Sequence, residues 1–363
     1  MKRVRALLIS TAVGLATLAG LYAFLTAFTT TIEFADPGLE AAVRDALEFR
    51  GGHIPRNDLE RLTELDAVER GIESLEGVES MPNLIRIDLR GNRVSDLEPL
   101  AELSRLQSVT LCDNNIIDLN EVNLPALAQL PELRELNLRH NRGPSHPETP
   151  DEHERISDLT ALAAFTMLER LDLRDNHIED ASPLAELERL RYLDLRDNRL
   201  GENEVSKLSR LSQLRHLNLR NNNLRDLSGI AELSALRYLN LHSNADIDSI
   251  VALVGLDELE ELILRNVPIR DEVQVLAEFR SLRRLNVRNT GIRDLTVLAD
   301  LMAAGALQDD PENNIYAELD IRENPVSQPA GDGNADGNDN SAYRVLEEYW
   351  PRIARRHPQE LPR

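Results

Sequence analysis

A short pattern of leucines ending in an asparagine recurs along most of this chain, and it constrains the fold more than any other feature. The spacing LxxLxLxxNxI is clearest at residues 84–94 (LIRIDLRGNRV), 106–116 (LQSVTLCDNNI), 168–178 (LERLDLRDNHI), 190–200 (LRYLDLRDNRL) and 214–224 (LRHLNLRNNNL). Further units begin at Leu133, Leu236, Leu259 and Leu282, and a last one covers residues 317–326. A unit this short cannot bury a core alone, so the units have to stack on one another.

The centre of each unit is expected to be a short strand. Alternate side chains of a strand share a face, so the two leucines of each LxL point inward together. Parallel stacking of ten units turns these leucines into one continuous core. The asparagine at the ninth position can then satisfy backbone groups where the chain leaves the sheet. Val267 and Thr290 replace it in two units, and we expect looser stacking there.

The segment behind each strand begins with aspartate and continues with leucines at helical spacing, as in residues 95–103 and 225–233. Aspartate is a strong helix N-cap, so Asp96, Asp180 and Asp226 are expected to start short helical turns. The predicted fold class is therefore α/β, a solenoid with a curved parallel sheet on its concave side and short helical turns on its convex side.

These repeats resemble those of leucine-rich-repeat proteins, in particular the bacterial internalin type, whose repeats have about 22 residues. The resemblance covers roughly residues 34–326, and the predicted repeat domain spans residues 84–326. It implies a leucine-rich-repeat solenoid that binds protein partners, commonly through the concave face. It implies no reaction.

Residues 34–80 resemble the N-terminal cap of that family, and the predicted cap spans residues 33–83. Asp36 is placed as a helix N-cap, and Pro37 follows at the first helical position. The apolar residues that then share one helix face are Leu39, Val43 and Leu47. We expect an N-terminal helical cap that covers the exposed end of the leucine core.

Residues 1–32 carry the features of an export signal. A basic head with Lys2, Arg3 and Arg5 precedes an uncharged stretch from Ala6 to Ile32. The stretch exceeds the roughly 20 residues needed to span a bilayer, so we expect a signal-anchor transmembrane helix. Cleavage of a signal peptide after Ala23 or Ala27 is the alternative. Because the basic residues come first, the body is expected outside the cytoplasm, membrane-anchored in the periplasm or at the cell surface, or secreted after cleavage.

Composition argues against several classes of function. Acidic residues number 63 against 41 basic ones, for a formal net charge of -22, so binding to nucleic acid is not expected. Cys112 is the single cysteine, which rules out an intramolecular disulfide and any CxxC metal or redox site. The sequence contains no GxSxG, HExxH, P-loop or dinucleotide-binding fingerprint, so we expect no catalysis and no cofactor.

Two insertions interrupt the repeat period, at residues 142–155 and 303–314. They are expected to lie at opposite rims of the concave face. The first contains His146 and His153 among acidic residues, which are residue types that bind metals. A solvated acidic loop is favoured over a metal site, because no predicted helix or strand holds these side chains in place.

Residues 327–340 form a predicted acidic Gly/Asn/Asp linker. Within it, Asp332, Asn334 and Asp336 match the first half of a calcium-binding loop. The twelfth position of such a loop should carry a bidentate acid, but it is Tyr343 here. A flexible linker is therefore favoured over a calcium site, and no metal is expected.

Residues 341–363 are predicted to contain a C-terminal helix, broken or kinked at Pro351. Tyr343, Leu346 and Trp350 recur in it at helical spacing. This pattern favours a helix that packs back on the last repeat as a C-terminal cap. A helix that binds a partner is the alternative.

One position of each repeat is nearly always arginine, the residue after the second strand leucine, which faces the concave side. These positions, here called the arginine ladder, are Arg90, Cys112, Arg139, Arg174, Arg196, Arg220, His242, Arg265, Arg288 and Arg322. Two residues earlier, the same face carries a row of mostly Asp and Asn, made of Asp88, Thr110, Asn137, Asp172, Asp194, Asn218, Asn240, Ile263, Asn286 and Asp320. One interpretation is a self-neutralising surface copied by duplication.

The other interpretation is a binding site at the centre, where Tyr192, His216 and Tyr238 occupy the position before the first strand leucine. We expect both tyrosines to face solvent, and tyrosine and arginine are frequent binding hot spots. The predicted ligand-binding residues are Arg174, Tyr192, Arg196, His216, Arg220, Tyr238 and His242. The expected ligand is a protein partner. An anionic glycan or another envelope polymer, bound by the ladder guanidinium groups, is the alternative.

Overall fold

The computed structural model describes most of the repeat region and its cap. The described residues are 32, 34–94, 96–143, 145–146, 149–310, 312, 316–325, 345–346, 349 and 355–357. Residues 1–31 of the predicted export segment lie outside them, as do the calcium candidates Asp332, Asn334 and Asp336. In the part of the chain that is described, no helix combines the length and the apolar character that a membrane span requires.

Twelve strands of the described chain form one parallel sheet, and a separate pair forms an antiparallel hairpin. The sheet contains β1 (Glu64–Asp66), β2 (Arg86–Asp88), β3 (Ser108–Thr110), β4 (Glu135–Asn137), β7 (Arg170–Asp172), β8 (Tyr192–Asp194), β9 (His216–Asn218), β10 (Tyr238–Asn240), β11 (Glu261–Ile263), β12 (Arg284–Asn286), β13 (Glu318–Asp320) and β14 (Arg355–His357), and the hairpin consists of β5 (Ser145–His146) and β6 (Thr149–His153). Equivalent repeat positions pair with each other, as Leu193 does with Leu217. The ten strands predicted from the repeats are β2–β4 and β7–β13, so the α/β solenoid is confirmed.

The core consists of the inward-facing strand leucines and the apolar residues of the convex turns. Leu193 in β8 and Leu195 just after it are both completely buried. The buried apolar cluster extends from Leu39 in the cap to Leu346 near the C-terminus. Burial of one leucine side chain contributes about 1.5–3 kcal/mol, so stability comes from many repeated contacts between neighbouring units.

The ninth-position asparagines are buried and join adjacent repeats. Asn222 Nδ2 donates to Leu195 O at 3.1 Å and to Leu219 O at 3.0 Å, and its Oδ1 accepts the Leu200 N–H at 3.1 Å. Similar bonds to a carbonyl of the preceding repeat are made by Asn92, Asn114, Asn141, Asn176, Asn198, Asn244 and Asn324. Each carboxamide satisfies backbone groups of two repeats, and this asparagine ladder therefore holds them in register.

The two interruptions of the asparagine ladder are closely packed. Val267 is completely buried, and the Thr290 hydroxyl donates to Val287 O at 2.9 Å. Asn324 Oδ1 accepts the N–H groups of Thr290 and Ile292 at 3.0 and 3.2 Å. The looser stacking predicted here is not found. At Thr290 a hydroxyl and the next asparagine of the ladder satisfy backbone groups, and at Val267 the backbone N–H donates to Leu264 O at 2.9 Å.

The convex side carries short 3-10 helices. They span Val78–Ser80, Glu98–Glu102, Leu124–Gln129, Thr160–Ala164, Ser182–Glu186, Glu204–Arg210, Ser228–Glu232, Val251–Leu253 and Arg270–Glu278. Asp96, Asp180 and Asp226 were predicted as N-caps of three of these helices, and they accept the N–H two residues later at 3.0, 2.8 and 2.9 Å. Each bond closes an Asx turn that places the aspartate one residue before the N-cap, so the N-cap prediction is wrong by one residue.

The N-terminal cap is built from two helices and a strand. The helices are α1 (Pro37–Ala46) and α2 (Arg56–Leu59), and the strand is β1. Asp36 caps α1, as predicted, by accepting the Gly38 and Leu39 N–H groups at 2.7 and 3.1 Å, and it also accepts the Glu73 N–H at 2.8 Å. Burial opposes ionisation of Asp36, but these bonds outweigh it and hold its pKa below the usual value. The sheet thus begins inside the range predicted as a helical cap, because β1 pairs with β2.

The two insertions differ from the expected rim loops. β5 and β6 form a hairpin within residues 142–155, where the sequence favoured a loop without strands. The second insertion, residues 303–314, begins at the last residue of α3 (Thr296–Ala303) and contributes to the core, since Ala306 and Leu307 are buried. Across the described chain, no cluster of His, Cys, Asp and Glu side chains is arranged to hold a metal ion.

The C-terminal region adds β14 at the end of the sheet, where it pairs with β13. The predicted helix therefore does not extend through residues 355–357, because their backbone bonds to the free edge of β13. Of the three predicted cap residues, Leu346 is buried in the core cluster. Tyr343 and Trp350 lie outside the described residues.

Asn222→Ala is expected to lower the free energy of unfolding by about 1–3 kcal/mol, because it leaves the buried Leu200 N–H without its acceptor and removes one of the two carboxamide donors to Leu195 O and to Leu219 O. The matched control is Asn223→Ala, one residue later, where the side chain is exposed and a change within about 0.5 kcal/mol is expected. Urea denaturation followed by circular dichroism measures both. Equal effects of the two substitutions would contradict the role assigned to the asparagine ladder.

Candidate functional site

Four planar side chains stack in a row at the centre of the concave face. The Tyr192 and His216 rings lie within 15° of parallel with their centroids 4.3 Å apart, and the His216 and Tyr238 rings lie within 5° at 4.0 Å. The guanidinium carbon of Arg170 is 4.1 Å from the centroid of the Tyr192 ring. We call Arg170, Tyr192, His216 and Tyr238 the aromatic stack.

Strand pairing produces this stack. Its members are the first residues of β7, β8, β9 and β10, which pair in register. Neighbouring strands are about 4.8 Å apart, close to the separation of stacked rings. Planar side chains at one repeat position on consecutive strands therefore meet face to face.

The aromatic stack is neutral at its centre and cationic at one end. Burial, Arg170 and Arg196 lower the pKa of His216 to about 4, so its imidazole is uncharged at neutral pH. Burial raises the pKa of Tyr192 and Tyr238, and both hydroxyl groups stay protonated. The positive charge of the stack at neutral pH belongs to the Arg170 guanidinium.

Ion pairs occupy the same row on both sides of the aromatic stack. Arg170 Nε lies 3.8 Å from the Glu135 carboxylate. Beyond Tyr238, Arg284 pairs with Glu261 at 3.0 Å and with Glu318 at 3.1 Å. The charged side chains of the row thus neutralise one another, and its centre presents aromatic edges and hydroxyl groups.

The Asp and Asn row does not form a second exposed row beside the ladder. Asp194, Asn218 and Asn240 are only 2 %, 3 % and 7 % exposed. Their side-chain oxygens accept the N–H two residues later, as Asp194 does from Arg196 at 3.1 Å. These residues shape the turn after each strand and leave little surface for a ligand.

The arginine ladder is only partly ion-paired. Four of its members bind the aspartate two residues earlier, in the pairs Arg90–Asp88 at 2.6 Å, Arg174–Asp172 at 2.8 Å, Arg196–Asp194 at 3.6 Å and Arg322–Asp320 at 2.7 Å, and Arg288 pairs with Glu323. Arg139, Arg220 and Arg265 follow Asn137, Asn218 and Ile263 instead of an aspartate, and their guanidinium groups form no ion pair with any described residue. Their Nε atoms are buried and have no hydrogen-bond partner in the described part.

His242 lies between Arg220 and Arg265 in the ladder. Burial, followed by the charges of Arg220 and Arg265, lowers the pKa of His242 to about 4. The imidazole is therefore neutral at pH 7. The centre of the ladder consists of two guanidinium groups without ion pairs around an uncharged ring.

A polar cavity of about 280 Å³ adjoins the aromatic stack. Arg170, Arg174 and Tyr192 form part of its wall, together with Ser108 and Glu135. Guanidinium, hydroxyl and carboxylate groups converge on it. The cavity offers hydrogen bonds to a polar side chain inserted beside the stack.

A wider cavity of about 790 Å³ lies away from these residues, on the loops that follow the asparagine ladder. Its wall is mainly acidic and includes Glu202, Asp248 and Glu272. Arg225 pairs with Asp248 at 2.6 Å across part of this wall. None of the residues predicted as a ligand site lines it.

The seven predicted site residues occupy two neighbouring rows on consecutive strands. The tyrosines were expected to face solvent, but both are half-buried because their ring faces contact His216. Arg174 and Arg196 are held by their own aspartates. Two residues were missed, Arg170 in the aromatic stack and Arg265 in the ladder. Each shares the repeat position of predicted site residues, and that was the signal in the sequence.

Asp194 is a buried carboxyl group two residues after Tyr192. Burial and the neighbouring Asp172 raise its pKa to about 6, against the Arg196 N–H bond and the charges of Arg196 and Arg174. Because the pKa is higher in the folded state, the contribution of this carboxyl group to stability is complete below pH 3.8, the ordinary pKa of aspartate. That contribution is lost as the pH rises through the folded-state pKa of about 6.

We therefore expect the change in the free energy of unfolding caused by Asp194→Asn to be about 2–3 kcal/mol more favourable at pH 7.5 than at pH 3.5, because the amide has no charge to bury. The amide fits, since Asn218 at the equivalent position accepts the Arg220 N–H at 3.2 Å in the same way. Denaturant titration of wild type and variant at the two pH values gives the difference. An effect of equal size at both pH values would show that the Asp194 carboxyl does not titrate as proposed.

Comparisons with known proteins agree with this geometry. Residues 188–245 match a family model described as leucine rich repeat, and residues 166–182 match a second model with that description. Leucine-rich repeat-containing protein 23 from Xenopus tropicalis is 38 % identical over 102 residues, which cover 28 % of this chain and 26 % of that protein. The chain thus spans about a quarter of the length of this curated relative.

Two solved structures from Listeria monocytogenes extend the likeness to a larger share of the chain. An internalin (inlF) superposes with a TM-score of 0.65 and 27 % identity over 80 % of this chain and 83 % of that one. An internalin C2 (inlC2) has a TM-score of 0.52 and 29 % identity over 62 % of this chain and 92 % of that one. With the sheet, the asparagine ladder and the repeat matches, these likenesses show that the chain is a leucine-rich-repeat protein of internalin-like fold.

Proposed function

We propose that this protein is a binding module that holds a protein partner against its concave face and catalyses no reaction. The observation that carries the proposal is the aromatic stack, whose side chains hold one another in place at the centre of the sheet. Leucine-rich-repeat solenoids typically act as binding modules, and their concave surface is an extended one. The fold supports a binding function, and the aromatic stack supports the centre of the concave face as the binding site.

A preformed stack lowers the entropy that binding costs, because its rings have already lost rotamer freedom. Tyrosine and arginine are also enriched among residues that dominate binding energy. Both ring faces of Tyr192 and His216 and one face of Tyr238 are occupied within the stack, so a partner would contact ring edges, hydroxyl groups and the Arg170 guanidinium. The adjoining cavity of about 280 Å³ would take one polar side chain of that partner.

We also propose that residues 1–32 attach this module to a membrane with its repeats outside the cytoplasm. The support is the basic head followed by a long uncharged apolar stretch. The full-length protein is expected in the membrane pellet after alkaline carbonate extraction. A mature N-terminus between residues 24 and 34 would instead show cleavage and release, and recovery in the cytoplasmic fraction would contradict the proposal.

Photo-crosslinking in the native cells tests where a partner binds. A benzoylphenylalanine that replaces Tyr238 in the full-length chain is expected to give a discrete adduct that protease treatment degrades. The control position is Val251 on the convex side, which is 53 % exposed and is expected to give none. Adducts from Val251 alone would place the site elsewhere, and a protease-resistant adduct from Tyr238 would favour a glycan ligand.

Tyr192→Ala combined with Tyr238→Ala is expected to weaken binding of the captured partner by about 30-fold or more, since loss of one hot-spot aromatic costs about 2 kcal/mol. Surface plasmon resonance measures the affinity, and thermal melting checks the fold. The control combines Arg90→Ala with Arg322→Ala at the two ends of the ladder, where a change below about threefold is expected.

The two double variants separate the possible outcomes. Equal losses would indicate a distributed electrostatic surface, which suits an anionic glycan or envelope polymer. No loss from either would exclude the aromatic stack and the ends of the ladder as the binding surface.

A further inference from the structure

We propose that Arg220 and Arg265, with His242 between them, form a carboxylate-binding site for an acidic segment of the protein partner. This inference rests on the proposed function of the concave face and adds the chemistry of the partner. The three residues follow β9, β10 and β11, which pair in register. Their side chains therefore leave the sheet side by side.

The absence of internal partners distinguishes Arg220 and Arg265 from the paired members of the ladder. Five ladder arginines are held by an aspartate or by Glu323, whereas these two form no ion pair with any described residue. Their Nε atoms are buried without a hydrogen-bond partner in the described chain, as are those of Arg139 and the ion-paired Arg288, so the missing ion pair is what distinguishes them from the paired members. A buried N–H without an acceptor is costly, so a ligand that supplies one gains that free energy. A carboxylate matches the guanidinium fork with two parallel hydrogen bonds.

The spacing of the two guanidinium groups favours a peptide with more than one acid. Arg220 and Arg265 are two strands apart, roughly 10 Å at the backbone. Alternate residues of an extended peptide are roughly 7 Å apart, and flexible arginine side chains can close the difference. His242 between them is neutral, so it adds a hydrogen-bonding ring without a competing charge.

A local acidic peptide fits better than a long polyanion. A polyanion needs a continuous cationic track, but Arg196 and Arg288 on either side of the site are already ion-paired. The net charge of -22 also repels a highly charged polymer as a whole. The aromatic stack lies in the adjacent row on β9 and β10, which suits a partner that combines acidic and uncharged side chains.

The test uses the full-length chain and a blocked hexaglutamate peptide, with a blocked hexaglutamine peptide as the uncharged control. Hexaglutamate is expected to bind saturably by calorimetry at low salt, and hexaglutamine is expected not to bind. Arg220→Gln combined with Arg265→Gln should weaken hexaglutamate binding at least about tenfold, because it removes two charge-assisted forks. Arg90→Gln combined with Arg322→Gln removes the same charge from ion-paired positions and should change it less than about twofold.

Three results would overturn the proposal. The first is that hexaglutamate shows no saturable binding. The second is that the two pairs of substitutions weaken hexaglutamate binding equally. The third is that dextran sulfate also binds and that each pair of substitutions weakens its binding as much as it weakens hexaglutamate binding. If the glutamine variants melt at a lower temperature than the wild type, an NMR titration of the wild-type arginine side-chain Nε–H resonances with hexaglutamate tests the site instead. Those of Arg220 and Arg265 are expected to shift with hexaglutamate, and shifts confined to other arginines would contradict the site. The peptide assay needs no natural partner, so its failure leaves the photo-crosslinking test of the concave face intact.

Discussion

The bonding of buried backbone groups by the asparagine ladder is the constraint on which this structure depends. Every repeat turns out of the sheet at the same place, and each turn would bury carbonyl and N–H groups without partners. Asn222 and its equivalents satisfy these groups in two repeats at once. Burial of the leucine core supplies the driving force for stacking, but apolar burial is not directional and does not determine the register. The carboxamide hydrogen bonds are directional, and they determine it.

Register then determines the chemistry of the concave face, because residues at one repeat position become a row. Tyr192, His216 and Tyr238 meet face to face for this reason alone. The same logic explains the arginine ladder. Asp194 and Asn218 both accept the N–H two residues later, so either residue builds the turn. Only the aspartate can also pair with the following arginine, and the change from Asp to Asn therefore keeps the fold while it frees Arg220 from its partner in the repeat.

Much of the fold could be predicted from the spacing of leucine and asparagine, and the errors have identifiable causes. The strands β2–β4 and β7–β13 and the asparagine ladder follow from local patterns that the structure confirms. The aspartates predicted as N-caps instead close Asx turns one residue earlier. β1 was missed because residues 62–72 keep the repeat spacing but carry Ala67 and Arg70 in place of the second strand leucine and the asparagine. The sequence of β14 lacks the repeat, and this strand pairs with the edge at β13 because an exposed edge offers unpaired backbone groups to a nearby segment. At Thr290 a hydroxyl replaces the carboxamide, which a count of asparagines does not reveal.

The candidate site, like the fold, has features that the sequence determines and features that depend on the tertiary structure. The sequence by itself determined the repeat period, the inward leucines and the rows to which Tyr192 and Arg220 belong, because alternation along a strand and spacing within a repeat are local properties. Only the tertiary structure decided that the rings stack face to face, that Arg170 extends the stack, and that no carboxylate of another described repeat pairs with Arg220 or Arg265 as Glu323 does with Arg288. Those outcomes depend on distances of a few ångströms between side chains of different repeats, and such distances exist only once the repeats are stacked.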